Sequence, residues 1–333
     1  MHPKLKTLKI EKLFGHKDIE LHFNDVTVLV GKNGLGKTTL LKILHALLLR
    51  QSCTEIESCI IATLTFSDDE VINFENRQLS YVDPEGVEKT IFGDVNNHLR
   101  ETLNSNLVND YFDASKQRIK LKNRAEVEKQ PSLLSLIRNF FNAKFSLSEN
   151  KKYFLDSVVK VNFISTINMS ANSQQILTGS DGRQGNLLDW EIEKEISDIV
   201  KTPKGKYTLA FIKEVNRHFA DSGKKVQVKD GLKVITPDSK TPLPVSKLSS
   251  GERQLLYIMA KVANTKNSPA FLLMDEPEIS LHLNWQEKLL DSIKTLNPNC
   301  QIVVVTHSPA VIMDGYMDSY IDMENIVVES RNV

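Results

Sequence analysis

Hydrophobic and polar residues alternate along the first part of the chain as half-buried strands require. Leu5 to Ile10 alternates apolar and polar side chains, Ile19 to Phe23 alternates again, and together they predict an antiparallel pair. Val26 to Val30 is instead a continuous run of apolar and β-branched residues, which is typical of a buried strand. Short β-like runs between positions 59 and 82 predict a small antiparallel sheet.

Later segments alternate between helical and strand patterns. Apolar residues at helical spacing predict helices at 40–49, 189–199 and 207–219, and beyond position 254. Strands are predicted at 158–166, 271–274 and 301–306, and a hairpin at 225–228 with 232–235. This succession predicts an α/β fold.

Composition narrows the class of protein only slightly. The 333 residues suffice for one large domain or two small ones, and 42 basic residues balance 42 acidic ones. No apolar run reaches the roughly 20 residues of a membrane span, and residues 1–6 lack the apolar core of a signal peptide. Cys53, Cys59 and Cys300 form no CxxC pair, so no zinc site is predicted. We expect a cytoplasmic protein without a membrane partner.

The stretch after the strand at 26–30 carries the first chemical signal. It fits the pattern GxxxxGK[ST] and precedes the helix at 40–49; its residues are Gly31, Lys32, Asn33, Gly34, Leu35, Gly36, Lys37, Thr38 and Thr39. Glycines let backbone N–H groups wrap phosphates, and the helix N-terminus adds positive charge. Lys37 would reach the β- and γ-phosphates of a nucleotide, and the Thr38 hydroxyl would bind Mg²⁺. A chance glycine-rich turn is the alternative, which the flanking strand and helix disfavour.

Two later strands end in residues suited to the same chemistry. The strand at 271–274 runs into Asp275 and Glu276, and the carboxyl edge of an open α/β sheet is where ligands bind. Asp275 would hold Mg²⁺, and Glu276 would activate a water molecule. The strand at 301–306 ends at His307, which would contact the γ-phosphate or that water. The alternatives are a surface acidic pair and a structural histidine.

A turn entering a helix precedes these strands. Its residues are Leu248, Ser249, Ser250, Gly251 and Glu252, followed by an apolar-rich run from Gln254. By itself the stretch is an ordinary helix start.

The chain changes character between these motifs. We predict an N-terminal lobe at 1–93, a locally basic helical insert at 94–157 and a C-terminal lobe at 158–333, forming one composite domain. Basic residues cluster from Lys116 to Arg124, and residues 132–145 have an amphipathic helical pattern. The insert either contacts nucleic acid or a partner, or is a solvated helical segment whose charges maintain solubility.

Taken in order, the motifs resemble those of ATP-binding-cassette (ABC) ATPases of the SMC, RecF and OLD-nuclease type. Gly31 to Thr39 matches the Walker A loop, Leu248 to Glu252 the signature, Phe271 to Glu276 the Walker B strand, and His307 the switch histidine. The D-loop falls at Ser280, Leu281 and His282, and the glutamine loop at Gln174 or Gln175. The resemblance implies a P-loop NTPase with an ABC ATPase head: a mixed central sheet, an antiparallel β subdomain and a helical insert.

The Walker B and D-loop stretch, Asp275 to Gln286, most resembles short bacterial AAA-family ATPases of anti-phage defence systems. The chain has no room for SMC-length arms, and we expect no Toprim nuclease after His307. The resemblance implies ATP and Mg²⁺ as ligands, a head-to-tail dimer or higher oligomer, and signature residues that contact ATP bound to the other subunit.

Three functions follow from that resemblance. The first is a defence ATPase that regulates a separately encoded effector, a nuclease or toxin. The second is a RecF-like DNA-repair ATPase that binds DNA directly through Lys116 to Arg124. The third, a transporter subunit, is weakest because this chain has Ile279 to His282 where transporter ATPases have Ser-Ala-Leu-Asp. Salt-dependent DNA affinity would favour repair, and co-purification with a neighbouring gene product would favour defence.

Overall fold

The structure is a computed structural model that describes residues 2–76, 78–82, 88–92, 112–113, 118–121, 145–165, 176–178, 184–201, 205–228, 231–238, 241–313 and 315–329. Its residues group into two compact units built from interleaved segments. The first unit comprises Met1–Lys4, Phe23–Leu41 and Tyr153–Asn325, and the second comprises Leu5–His22, Lys42–Lys152 and Ile326–Val333. The three-part division into 1–93, 94–157 and 158–333 remains a prediction.

The strands of the described residues are numbered in chain order. They are β1 (Leu5–Leu13), β2 (Lys17–His22), β3 (Val26–Val30), β4 (Ile61–Phe66), β5 (Val71–Glu75), β6 (Gln78–Val82), β7 (Glu88–Phe92), β8 (Phe112–Asp113), β9 (Arg118–Leu121), β10 (Phe145–Ser146), β11 (Lys160–Ser165), β12 (Ile176–Thr178), β13 (Gln184–Asn186), β14 (Lys225–Val228), β15 (Leu232–Ile235), β16 (Ala270–Asp275), β17 (Cys300–Val305), β18 (Tyr320–Asp322) and β19 (Val327–Glu329).

The α-helices of the described residues are numbered in the same way. They are α1 (Lys37–Leu49), α2 (Thr54–Glu57), α3 (Glu149–Tyr153), α4 (Leu187–Val200), α5 (Lys206–Phe219), α6 (Ser250–Ala263), α7 (Leu283–Leu296) and α8 (Ala310–Met313). Phe154–Val158 forms a π-helical turn, and the described ranges also contain four short 3₁₀ turns. None of the helices in the described ranges is long and apolar enough to cross a bilayer.

A five-stranded parallel sheet forms the centre of the first unit. Its strand order is β11-β16-β17-β3-β18. Every residue of β16 and β17 is buried, as expected for central strands covered on both faces. The pairing register aligns Asp275 with Val305, and Val305 with Leu29. The carboxyl ends of β3, β16 and β17 therefore lie side by side.

Helices α4, α5 and α6 share the core of that unit. Isoleucines of α4, Phe211 of α5 and most of α6 are buried in the same apolar cluster as β16 and β17. Two ion pairs join α4 to α6: Asp189 contacts Arg253 at 3.0 Å, and Glu195 contacts Lys261 at 2.6 Å. The start of α6, which carries the signature stretch, is thus held by burial and by charge.

An antiparallel sheet of order β10-β5-β4-β1-β2-β19 forms the second unit together with a smaller sheet, β7-β6-β9-β8. The predicted pairing of the first two alternating runs is confirmed by the β1–β2 register, with Leu8 opposite Leu21. Parallel and antiparallel pairing both occur, which confirms the α/β fold. The resemblance implied a mixed central sheet, but the described strands of the five-stranded central sheet all pair in parallel.

The prediction of a helical insert at 94–157 is wrong where residues 112–113 and 118–121 are described, because both segments are strands. Arg118 to Leu121 alternates polar and apolar residues, which is a strand pattern. The predicted amphipathic helix at 132–145 lies outside the described residues except for Phe145, which begins β10. Only α3 and the π-turn are helical in the described part of the insert.

Burial of His218 on α5 should make the stability of the protein depend on pH. The side chain is fully buried, its Nε2 lies 2.9 Å from Ser292 Oγ, and its ring meets Trp285 edge to face. Burial, aided by the charges of Arg217 and Lys288, lowers the pKa of His218 to about 4. Because the pKa of an unfolded histidine is about 6.5, the unfolded state binds more protons than the folded state between pH 4 and that value.

The parent protein should therefore lose ~3 kcal/mol of unfolding free energy relative to His218→Gln as pH falls from 7 to 4. Chemical denaturation of both proteins at several pH values measures this difference. A constant difference across that range would contradict the prediction.

Candidate functional site

The loop between β3 and α1 turns at two glycines with positive φ angles. Gly34 and Gly36 have φ values of +85° and +90°, in the region that side chains disfavour. These turns bring the loop back to the first residue of α1, Lys37. The N–H groups at the start of α1 thus lie at the end of the loop, where an anion is stabilised.

Lys37 is buried within the loop, with only 6% of its surface exposed. Its ammonium donates to the carbonyl oxygens of Gly31 at 2.6 Å and Lys32 at 3.0 Å. Burial lowers the pKa of Lys37, and nearby carboxylates, Glu276 first among them, oppose that effect. A buried cation held by neutral carbonyl groups is a strong attractor for a phosphate.

Thr38 and Asp275 meet although they are 237 positions apart. The Thr38 hydroxyl lies 3.0 and 3.1 Å from the two carboxylate oxygens of Asp275, to which it donates. Thr38 is the second residue of α1, and Asp275 is the buried last residue of β16. A hydroxyl and a carboxylate are oxygen ligands of the kind that Mg²⁺ prefers, so this pair fits the predicted metal.

Glu276 and His307 form a second pair at the same sheet edge. Glu276 Oε1 lies 3.4 Å from His307 Nε2, and both side chains are partly exposed. Glu276 has a left-handed backbone conformation, φ +49°, held by a 2.8 Å hydrogen bond from its N–H to the Val305 carbonyl. Such a conformation costs of order 1–3 kcal/mol in a non-glycine residue and clusters at functional sites.

The signature stretch forms a capped helix N-terminus. The Ser249 hydroxyl accepts a hydrogen bond from the Glu252 N–H at 3.3 Å, and the Glu252 carboxylate accepts from the Ser249 N–H at 2.9 Å. Glu252 is buried and pairs with Lys224 at 2.7 Å, while Leu248 anchors the turn in the core. Since Ser249 accepts with an oxygen lone pair, its own O–H can donate to an anion.

The signature helix packs directly against the D-loop of the same chain. A Cβ on Gly251 would lie well inside van der Waals distance of the Ser280 carbonyl oxygen. Gln254 is buried and donates from its side-chain amide to the Pro277 carbonyl. The absence of a side chain at Gly251 is therefore what allows α6 to approach the turn after Glu276.

The remaining predicted residues divide into described and undescribed positions. Leu281 of the D-loop is buried, whereas His282 is exposed and precedes α7. Gln174 and Gln175, the predicted glutamine loop, lie outside the described residues. Of the basic cluster, only Arg118 to Leu121 is described, as the backbone of β9.

Three polar residues near the site were missed by the sequence analysis. Glu278 and Thr306 are buried and hydrogen-bonded to each other at 2.5 Å. Asp322 ends β18 and lies beside Gly31, within a cavity of about 450 Å³ that His307 also lines. Glu278 could have been noticed as a further carboxylate in Asp275 to Glu278, but nothing along the chain pairs it with Thr306.

A family model covers most of the chain. The model of the AAA_21 family, described as "AAA domain, putative AbiEii toxin, Type IV TA system", matches residues 26–314. The chain belongs to this family. The matched range begins at β3 and includes every predicted site residue described above, from Gly31 to His307.

This AAA_21 chain also has curated relatives at 30% sequence identity or below. The "Retron Ec83 probable ATPase" of Escherichia coli is 30% identical over 91 residues, which are 24% of this chain and 17% of that protein. The "Septu protein PtuA" of Bacillus thuringiensis is 22% identical over 340 aligned positions, covering 95% of this chain and 75% of that protein. The match to the retron protein thus spans about a sixth of that relative's length.

Among solved structures, the chain is similar to an SMC head bound to the C-winged-helix domain of ScpA. The TM-score is 0.47 at 16% identity, with 93% of this chain and 92% of that chain covered.

Because Gly251 lies against Ser280, the stability of the AAA_21 chain should fall when one methyl group is added at Gly251. Gly251→Ala should lower the free energy of unfolding by about 1–3 kcal/mol, because α6 or the D-loop must shift to accommodate it. Ser250→Ala, one residue earlier in the same helix, is the control and should change stability by no more than about 0.5 kcal/mol. Denaturant unfolding measures both, and equal effects would contradict the prediction.

Proposed function

We propose that this chain binds and hydrolyses ATP with Mg²⁺, pairs with a second copy around ATP, and thereby controls a separate effector in anti-phage defence. The observation that carries the proposal is the contact between the Thr38 hydroxyl and the Asp275 carboxylate, beside the pair formed by Glu276 and His307. Four groups suited to nucleotide hydrolysis thus meet at the carboxyl edge of one parallel sheet.

In this proposal, the phosphate loop holds the triphosphate. Backbone N–H groups from Gly34 to Thr38 and the start of α1 surround the phosphates, and Lys37 shifts from the loop carbonyls to the β- and γ-phosphate oxygens. The present partners of Lys37 are neutral oxygens 2.6 and 3.0 Å away, so phosphate oxygens would replace them with stronger, charge-assisted bonds. Mg²⁺, when held by Thr38 and Asp275, would offset negative charge on the phosphates.

Glu276 is the proposed general base. Its carboxylate accepts a proton from water as the water oxygen bonds to the γ-phosphorus; the bond from that phosphorus to the bridging oxygen breaks, and ADP leaves. His307, 3.4 Å from Glu276, orients the carboxylate and donates a hydrogen bond toward the transferred phosphoryl group. The strained backbone of Glu276 supports a functional role, because the hydrogen bond to Val305 must hold it in place.

The second copy is proposed to contribute its signature. A capped helix N-terminus with a serine hydroxyl free to donate is suited to a γ-phosphate. Exposed apolar side chains at Ile279 and Leu283, 63% and 56% accessible, flank the D-loop and favour contact between subunits. ATP would then hold two chains together, and hydrolysis would release them.

The defence role draws its support from relatives. The family description names a toxin of a toxin–antitoxin system, and the relatives carry the names of retron and Septu proteins. We propose that the effector is a separately encoded nuclease or toxin and that the ATP-bound pair holds or releases it. Co-expression with the product of the neighbouring gene, followed by co-purification, tests this partner; steep salt-dependent DNA binding instead would favour a repair ATPase.

Substitution of the proposed base tests the enzymatic part. Glu276→Gln should lower kcat for ATP about 100-fold or more, because the amide cannot accept the proton. Lys37→Ala should weaken ATP binding by roughly 10- to 100-fold, because a charge-assisted contact is lost. Phosphate release and equilibrium binding of a fluorescent ATP analogue measure the two effects. Unchanged kcat in Glu276→Gln would contradict the proposal.

The same variant tests the pairing. With ATP and Mg²⁺, Glu276→Gln should accumulate as a dimer in size-exclusion chromatography with light scattering. Adding Ser249→Asp should abolish that dimer, because aspartate preserves the helix cap while its charge repels a phosphate. Adding Ser249→Asn is the matched control, since asparagine caps equally well without charge. A Glu276→Gln protein that stays monomeric with ATP would replace the paired site with a single-chain one.

A further inference from the structure

A buried carboxylate lies behind the pair formed by Glu276 and His307. Glu278 is only 5% exposed, and its Oε1 accepts hydrogen bonds from the Thr306 hydroxyl at 2.5 Å and from the His307 backbone N–H at 3.1 Å. Glu278 is two residues beyond Glu276 in the turn after β16, and Thr306 and His307 follow β17. One side chain thus connects the turns that carry the two members of the pair.

A second set of hydrogen bonds reinforces this connection. Gln286 of α7 donates to the Leu281 carbonyl at 2.9 Å and accepts from the Ser308 hydroxyl at 2.6 Å. The Ser308 N–H in turn donates to the Thr306 hydroxyl oxygen at 2.9 Å. The residues on both sides of His307 are therefore held by hydrogen bonds, Thr306 to Glu278 and Ser308 to Gln286, and the His307 imidazole lies against Glu276.

The energetic cost of Glu278 argues against a purely packing role. Within the described residues Glu278 has no cationic partner, and its second carboxylate oxygen is buried without a hydrogen-bond partner. Burying a polar atom that has no hydrogen-bond partner costs about 1–3 kcal/mol. A buried carboxyl group with one unpartnered oxygen, next to Glu276 and His307, points to a functional constraint.

We infer that Glu278 is a positioning residue for hydrolysis, holding the His307 backbone so that Nε2 stays beside the Glu276 carboxylate. The inference rests on the proposed ATPase function and extends it to a residue that binds the backbone of His307. The hydrogen bond from the His307 backbone N–H to Glu278 fixes the position from which the His307 side chain extends toward Glu276. Displacement of such a pair by about 1 Å can cost 100-fold in rate.

Two substitutions separate positioning from packing. Glu278→Leu removes the acceptor at similar volume and should lower kcat for ATP by about tenfold or more while KM stays within about twofold, because the phosphate loop is untouched. Glu278→Gln keeps one oxygen that can accept from both Thr306 and His307. It should therefore restore kcat to within about threefold of the parent. Steady-state phosphate release over a range of ATP concentrations measures both constants.

Controls distinguish this effect from general destabilisation. Glu214 on α5 is equally buried, at 3% exposure, and lies outside the site; Glu214→Leu should lower the thermal unfolding midpoint without changing kcat. If Glu278→Leu does not fold, Thr306→Val replaces it: loss of one donor should lower kcat by about threefold or more at unchanged KM.

The results that would overturn the positioning role differ from those that would overturn the proposed ATPase function. A folded Glu278→Leu protein with the parent's kcat, a KM that rises in step with the loss of kcat, or a Glu278→Gln protein as slow as Glu278→Leu would each overturn the positioning role alone. A parent protein that hydrolyses ATP no faster than Glu276→Gln would overturn the proposed function and this inference with it.

Discussion

Parallel pairing of three strands is the constraint on which the rest of the site depends. Because β16 pairs with β17 and β17 with β3 in register, Asp275 lies beside Val305, and Val305 beside Leu29. Each strand then turns at the same edge of the sheet, and the chain delivers a phosphate loop, a pair of carboxylates and a histidine there. The Thr38–Asp275 contact is the direct result, since neither residue has any sequence proximity to the other.

The turn after β16 contacts both His307 and the signature helix α6. Its first residue, Glu276, lies against His307, and Glu278 binds the backbone of the same histidine. Pro277 accepts a hydrogen bond from Gln254, and Ser280 lies against Gly251 of the signature helix. A single short segment thus contacts both the groups proposed for hydrolysis and the helix proposed to engage the ATP of a second chain.

Much of this arrangement could be predicted from local patterns, and the misses have physical reasons. The strand at 26–30, its glycine loop and the following helix were predicted because their signals are contiguous. The insert was predicted to be helical, but Arg118 to Leu121 is a strand. The prediction was wrong there because it considered the basic charges and not the alternation of polar and apolar residues. Glu278 and Thr306 were missed because a buried acid and a distant hydroxyl become partners only through strand pairing.

By itself, the sequence determined the elements and the types of chemical group: the loop with Lys37 and Thr38, the acids after an apolar strand, and the helix start at Ser249. These follow from short-range rules of periodicity, capping and backbone freedom, which act within a few residues. Only the tertiary structure decided which groups meet, that Gly251 must lack a side chain, and that Glu278 is buried against Thr306. Those outcomes depend on the packing of elements distant in sequence, whose register and separation no local pattern records.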